Sequence, residues 1–114
     1  MIARVWRGET TIENADAYRR HFVESVRPAL TSVPGHRGAL LLRRETDGDS
    51  RTEFLAITLW DSMRAVRAFA GPDPDRAIVE PAARAVLADY DASVRHYDVV
   101  LDTWDPNGGH FRTL

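Results

Sequence analysis

The nine residues Thr52-Glu53-Phe54-Leu55-Ala56-Ile57-Thr58-Leu59-Trp60 constrain this chain more than any other stretch. They read as one strand that carries apolar residues on both faces. Leu55, Ile57 and Leu59 alternate with Phe54, Ala56, Thr58 and Trp60, so neither side looks built for water. The strand runs without a loop into Asp61–Gly71, which reads as an amphipathic helix. Met63, Val66, Phe69 and Ala70 lie on its apolar face, Asp61 or Ser62 stands at the N-cap, and Gly71 ends it. This junction puts the large flat ring of Trp60 where a sheet edge meets a helix start. There it either walls a pocket or plugs the core.

The rest of the chain supplies three more strands and one more long helix. Ile2 to Arg7 alternates apolar and polar residues and predicts a strand. Asn14 suits an N-cap, with Asp16 in the first turn, and Tyr18, Phe22, Val26 and Leu30 mark one apolar face. Pro28 removes a backbone donor, so a kink or break is expected near Val26. Pro34-Gly35 stops the segment. Gly38 to Arg44 predicts a second strand, and Asp47-Gly48 signals a hairpin into the third. Arg76–Val79 and Ala82–Leu87 read as two short helical pieces separated by Pro81. Ser93–Leu101 reads as the last strand.

The order strand, helix, strand, strand, helix, strand is that of a ferredoxin-like α+β fold, a four-stranded antiparallel sheet with both helices on one face. Residues 1–102 form that domain, and 103–114 read as an irregular tail with Pro106-Asn107-Gly108-Gly109. The helices cover one sheet face only. An uncovered apolar face of that size predicts a homodimer formed through the sheet.

Composition removes several function classes. A chain of 114 residues is one domain with one core. Its formal net charge of -2 gives no reason to expect nucleic acid or an anionic membrane. No apolar run is long enough for a membrane span, and no signal-peptide pattern opens the sequence, so the expected compartment is the cytoplasm. There is no Cys, which excludes disulfides, thiolate metal sites and a Cys nucleophile. All 15 basic residues are Arg, which excludes a Schiff-base or P-loop Lys. No Gly-rich phosphate loop follows a strand, no His pair is spaced for zinc, and no Ser sits in a nucleophile elbow.

Four features together resemble a known family. They are the start Met1-Ile2-Ala3-Arg4-Val5-Trp6-Arg7-Gly8, the Pro34-Gly35 turn, the Glu53–Trp60 strand followed by Asp61-Ser62, and the run His96-Tyr97-Asp98-Val99. The chain is similar over roughly residues 1–101 to the antibiotic biosynthesis monooxygenases of the dimeric α+β barrel superfamily. The resemblance implies two sheets packed as a dimeric barrel, with the pocket between helices and sheet. It also implies a cofactor-independent monooxygenase that oxidises a small aromatic or polyketide-like molecule with O₂. A non-catalytic small-molecule binder and a related isomerase or cyclase are the alternatives. The quinone-forming members keep the strand-end Trp, here Trp60, together with an Asn, a Tyr and an Arg. At those three positions this chain has Ala56, Val66 and Glu80. The haem-degrading members carry a helix Trp and an axial His, where this chain has Phe69 and Val79. Haem degradation is therefore disfavoured.

Oxidation without a cofactor needs a base near neutrality, water exclusion and stabilisation of a carbanion. His96 and His21 are the candidate bases and Trp60 the candidate pocket wall, with Asp98 placed either to orient His96 or to salt-bridge to an Arg. His36 and His110 read as exposed. Arg4 can stabilise a developing enolate or phenolate, and Trp6 can stack on a flat substrate. Dimer packing with a salt bridge is the competing use of that pair. Tyr18, Phe22 and Phe69 line either the pocket or the core. No metal ligands and no cofactor are expected.

Overall fold

Strand β1 (Ile2–Thr11) enters a helical stretch made of α1 (Ala15–His21), a π-helical segment (Phe22–Val26) and α2 (Arg27–Thr31). Then follow β2 (His36–Thr46), β3 (Arg51–Trp60), α3 (Met63–Ala70), α4 (Pro81–Val86), β4 (Asp89–Tyr90), β5 (Arg95–Asp98) and a pair of two-residue strands, β6 (Leu101–Asp102) and β7 (Arg112–Thr113). This is a computed structural model, and it describes residues 1–46, 48, 50–103 and 112–113. The main sheet is antiparallel in the order β2-β3-β1, with β4 and β5 sharing the fourth position along β1. The ferredoxin-like α+β fold expected from the sequence is the one adopted.

Local chemistry explains the elements. Ser62 caps α3 by accepting from the Ala65 N–H at 3.2 Å, and Gly71 ends the helix at φ +90°, a conformation glycine adopts without a Cβ clash. Pro28 has no N–H to give the Glu24 carbonyl, and its ring crowds that carbonyl. The preceding turn widens into the π segment, where the Arg27 N–H reaches the Phe22 carbonyl five residues back. The kink expected near Val26 is thus a widened turn, and the helix continues through it.

Four expectations need correction. Residues 76–79 form no helix; Arg76 bridges Ser93, and the Ala77 N–H donates to Ala92 O at 2.9 Å. Their backbone is engaged by the neighbouring chain, and Glu80 before Pro81 is extended, as the proline demands. The last strand is two short pieces separated by residues 91–94, where Val94 N–H turns away to Asp75 O at 2.7 Å. Within the 103–114 tail, Arg112–Thr113 pairs with Leu101–Asp102; His110 lies outside the described residues. His36, expected to be exposed, stands edge-on to Trp60 with ring centroids 5.2 Å apart, because β2 begins there beside the end of β3.

The two sheet faces differ in use. On the helix side one core cluster joins Trp60, Ile2, Leu30 and Val66, and a second joins Phe54, Tyr18, Ala15 and Ala83. Trp6 lays its ring over Gly8, two residues along β1. A Cβ there would stand 2.4 Å from Trp6 Cη2, so only glycine fits. The opposite face carries Val5, Leu55, Ile57 and Leu59 beside Leu40, Leu42 and Tyr97, which are 53%, 45% and 51% exposed. At one end of that face, charges replace the apolar residues. Glu9 and Glu53 sit directly opposite each other, a repulsive pairing in isolation. Arg7 bridges both at 2.6 Å, Arg44 holds Glu53 at 2.7 Å, and Arg51 reaches Glu9 at 3.5 Å. The bonds from Arg7 and Arg44 hold the Glu53 carboxyl below its ordinary range.

Trp60 is 0% exposed, touches Phe69 at a ring-centroid distance of 5.0 Å, and joins sheet to helices. We expect Trp60→Ala to cost about 3–5 kcal/mol of stability in urea unfolding, the range for emptying a large aromatic site in a core.

Candidate active site

The long helical stretch crosses the helix side of the sheet and leaves a cavity of about 180 Å³ beneath it. Residues of one strand parity form its floor: Arg4 and Trp6 from β1, Ala56 and Thr58 from β3. Tyr18, His21, Phe22, Val26, Ala29 and Leu30 come down from the helix, and Phe69 closes the α3 side. Ile78, Val79, Glu80, Ala83 and Val94 complete the lining. The walls are mostly apolar, with few polar groups, which is the usual make-up of a small-molecule site.

Arg4 is the central electrostatic feature. It is 6% exposed. Its Nη1 donates to Pro74 O and to His96 Nε2 (the latter at 3.0 Å), and its Nη2 donates to Arg76 O at 3.0 Å. Among the described residues no carboxylate lies within 4.0 Å of it. Burial pushes its pKa down, against the attraction of the more distant Asp75. A guanidinium stays protonated through such a shift. The cavity floor therefore holds a desolvated positive charge met by dipoles at contact and by Asp75 only from beyond 4.0 Å.

The contact with Arg4 also settles the state of His96. Arginine can only donate, so Nε2 must accept and the ring proton sits on Nδ1. Nδ1 faces Asp75 Oδ1 at 3.2 Å. Burial and then Arg4 lower the His96 pKa, outweighing Asp75. His96 does not line the cavity; it stands behind Arg4 as a neutral acceptor. The orienting carboxylate is Asp75, not Asp98. His96 and Asp98 belong to β5 and face Arg4 and Ile2, whereas Asp75 arrives from the loop after α3.

His21 is placed differently. It lines the cavity, and its Nε2 is buried with no hydrogen-bond partner among the described residues. Its ring centroid lies 6.4 Å from that of Tyr18. Tyr18 itself is buried, which raises its hydroxyl pKa far above the ordinary phenol value. Trp6 is tied by Nε1–H to Asp91 O at 2.9 Å, and it lies 6.1 Å from Tyr18 and 6.5 Å from Tyr90. Trp60 does not present its ring to the cavity. It lies in the core and meets the site through Phe69 and through its indole N–H, which donates to Thr58 Oγ1 at 2.9 Å.

The structure thus gathers Arg4, Trp6, Tyr18, His21, Phe22 and Phe69 on one cavity and sets Trp60 and His96 one layer behind it. Sequence reasoning missed Asp75, Thr58 and Ile78, and it met Val79 and Glu80 only as positions where the family's site residues are replaced. Asp75 had no signal, since its partner is 21 residues away on another element. Thr58 was legible as a cross-strand neighbour of Arg4 once the register was known.

The lowered His96 pKa means that its neutral form is favoured on folding. Its contribution is present above the ordinary value of 6.5 and is lost as the pH falls through the lowered folded value. Nitrogen-15 correlation spectra at pH 7 are expected to show an Nδ1–H tautomer for His96. Its titration midpoint should fall below 6.5, and an Asp75→Asn variant should move it lower still.

Among solved structures, a point mutant of MhuD with two manganese protoporphyrin IX bound per active site aligns with a TM-score of 0.63 and 24% identity, covering 92% of this chain and 100% of that one. The haem-degrader MhuD of Mycobacterium tuberculosis with two haems bound gives 0.61 and 24%, covering 90% and 98%. A candidate antibiotic biosynthesis monooxygenase of Deinococcus radiodurans gives 0.56 and 17%, covering 87% and 92%. At these identities the likeness speaks for the fold. No curated protein matches the sequence. The antibiotic biosynthesis monooxygenase profile, however, matches residues 1–81, well over half of the 114-residue chain, and the chain belongs to that family.

Proposed function

We propose that this protein is a cofactor-independent monooxygenase acting on a small aromatic or polyketide-like carbon acid, and that it works as a homodimer. The observation that carries the reading is the convergence, on one mostly apolar cavity, of the unpartnered Nε2 of His21 and the buried charge of Arg4. His21 takes the proton from an activated CH₂ group of the substrate. Arg4 supplies positive charge for an anionic substrate oxygen in a site with little water to screen it. The carbanion reduces O₂ and combines with it. One oxygen atom remains as the new carbonyl, and the other leaves as water with the two hydrogens of the CH₂ group. Trp6 and Phe69 hold the ring, while Trp60 and His96 position Phe69, Thr58 and Arg4 from behind.

The same base and cation suit an isomerase or cyclase, and the walls without a base would serve a binder. Haem is a poor fit to these residues. Val79, where the family's haem degraders place an axial His, cannot ligate iron. The homodimer reading rests on the exposed apolar sheet face of Leu40, Leu42, Ile57 and Tyr97. A second copy turned onto it makes a dimeric barrel and covers that face. No helix among the described residues is long and apolar enough to cross a membrane.

Oxygen-electrode assays on metal-stripped protein with three-ring anthrone and with the one-ring carbon acid 1,3-cyclohexanedione should show uptake above autoxidation with at least one of them. His21→Gln should reduce it about 10²–10⁴-fold, the usual contribution of a general base. No uptake with either compound moves the function to isomerisation or binding. Sedimentation of Ile57→Glu should give a monomer where the parent protein gives a dimer; a dimeric variant would place the interface elsewhere.

A further inference from the structure

We propose that the cavity is specific for a single-ring organic acid, whose carboxylate is clamped between Arg4 and Thr58. This deepens the reading above and rests on its assignment of the cavity as the substrate site.

Arg4 and Thr58 are direct cross-strand partners on β1 and β3, and both line the cavity. Partners in an antiparallel pair hold their Cβ atoms ~5 Å apart, close enough for one carboxylate to meet both side chains. The guanidinium carries five N–H groups, of which three are engaged by Pro74 O, His96 Nε2 and Arg76 O. The Nε–H and one Nη2–H remain. Those three bonds fix the fork in place, so its remaining donors are preorganised. Thr58 is prepared in a different way. Its Oγ1 accepts the Trp60 indole N–H at 2.9 Å, which leaves the hydroxyl hydrogen free to donate elsewhere. Trp60 is thereby a positioning residue for the hydroxyl.

Charge and size complete the argument. A cation at 6% exposure with no carboxylate partner among the described residues is a costly arrangement, and an anionic ligand relieves it. Glu80, the one carboxylate among the described residues that line the cavity, is exposed, so water screens it from a bound anion. The volume of about 180 Å³ is close to the ~150 Å³ cavity known to take one benzene ring. One ring with its acid group matches the space under the helix, and a wider ring system would have to reach out through its open side. The stacking surfaces of Trp6 and Phe69 suit a flat ring.

The test uses unreactive ligands, so it does not depend on turnover. Benzoate, benzyl alcohol and 9-anthracenecarboxylate are titrated into the full chain by calorimetry and by amide-shift mapping. Benzoate is expected to bind and to shift signals of Arg4, Thr58 and His21. Benzyl alcohol and 9-anthracenecarboxylate should each bind at least about tenfold more weakly, the worth of one charge-assisted hydrogen bond or more. Thr58→Val keeps the side-chain shape and should weaken benzoate about tenfold while leaving benzyl alcohol unchanged; Trp60→Phe should weaken benzoate by a smaller factor. Arg4→Gln should abolish the preference for the acid. Equal affinity for benzoate and benzyl alcohol, or no benzoate shifts at Arg4 and Thr58 at millimolar ligand, overturns the proposal even if the Arg4 variant does not fold. Benzoate binding without O₂ uptake on any carbon acid leaves acid specificity standing and removes the oxygenase reading. Uptake on neutral substrates without benzoate binding does the reverse.

Discussion

The buried guanidinium of Arg4 is the constraint on which the rest of the site depends. A charge removed from water is costly, and here no carboxylate among the described residues bonds to it; Asp75 attracts it only through the space beyond His96. The chain offsets it with dipoles: two carbonyls from the 74–76 segment and the lone pair of a neutral His96. Those bonds tie β1, the loop after α3 and β5 to one planar group. The bond to His96 makes that ring a supporting residue, and the bond to Arg76 O adds to the Ser93 bridge and the Ala77–Ala92 bond that keep the segment extended. Arg4 therefore shapes the loop that forms one side of the cavity and also presents charge to it.

The sheet divides labour by residue parity. One parity carries Arg4, Trp6, Ala56 and Thr58 under the helices, and the other carries Val5, Leu55, Ile57 and Leu59 outward. The outward face is itself divided. Its apolar part ends where Arg51, Glu9, Arg7, Glu53 and Arg44 form a ladder of alternating charge across three strands. A one-residue slip between β1 and β3 would separate the glutamates from their arginines and turn the core residues outward. Charge and burial thus enforce the same register.

Much of the framework was readable from the sequence because it rests on local signals. The two-sided strand ending at Trp60, the Ser62 cap, the Gly71 stop and the proline effect near Val26 each depend on a few adjacent residues. The candidate site was only partly readable. Arg4, Trp6, Tyr18, His21, Phe22 and Phe69 emerged from face and parity, and all of them line the cavity. Parity could not tell the layer that touches a ligand from the layer behind it. Trp60 and His96 share the correct face but are shielded, one by Phe69 and the other by Arg4. Asp75 was invisible because its role is created by a loop meeting a strand.

The widened turn at Phe22–Val26 has a geometric consequence of its own. Tyr18, Phe22, Val26 and Leu30 follow one another at intervals of four, and each interval overshoots a straight α-helix by ~40°. Over the twelve residues from Tyr18 to Leu30 the drift would reach ~120°, enough to turn Leu30 away from the sheet. Absorbing one residue in the π turn brings the two back to within ~20° of each other, and both are buried. The helix thus contains a phase correction. Adding or removing a residue anywhere between His21 and Arg27 would rotate everything downstream, so the length of this stretch is as constrained as its composition.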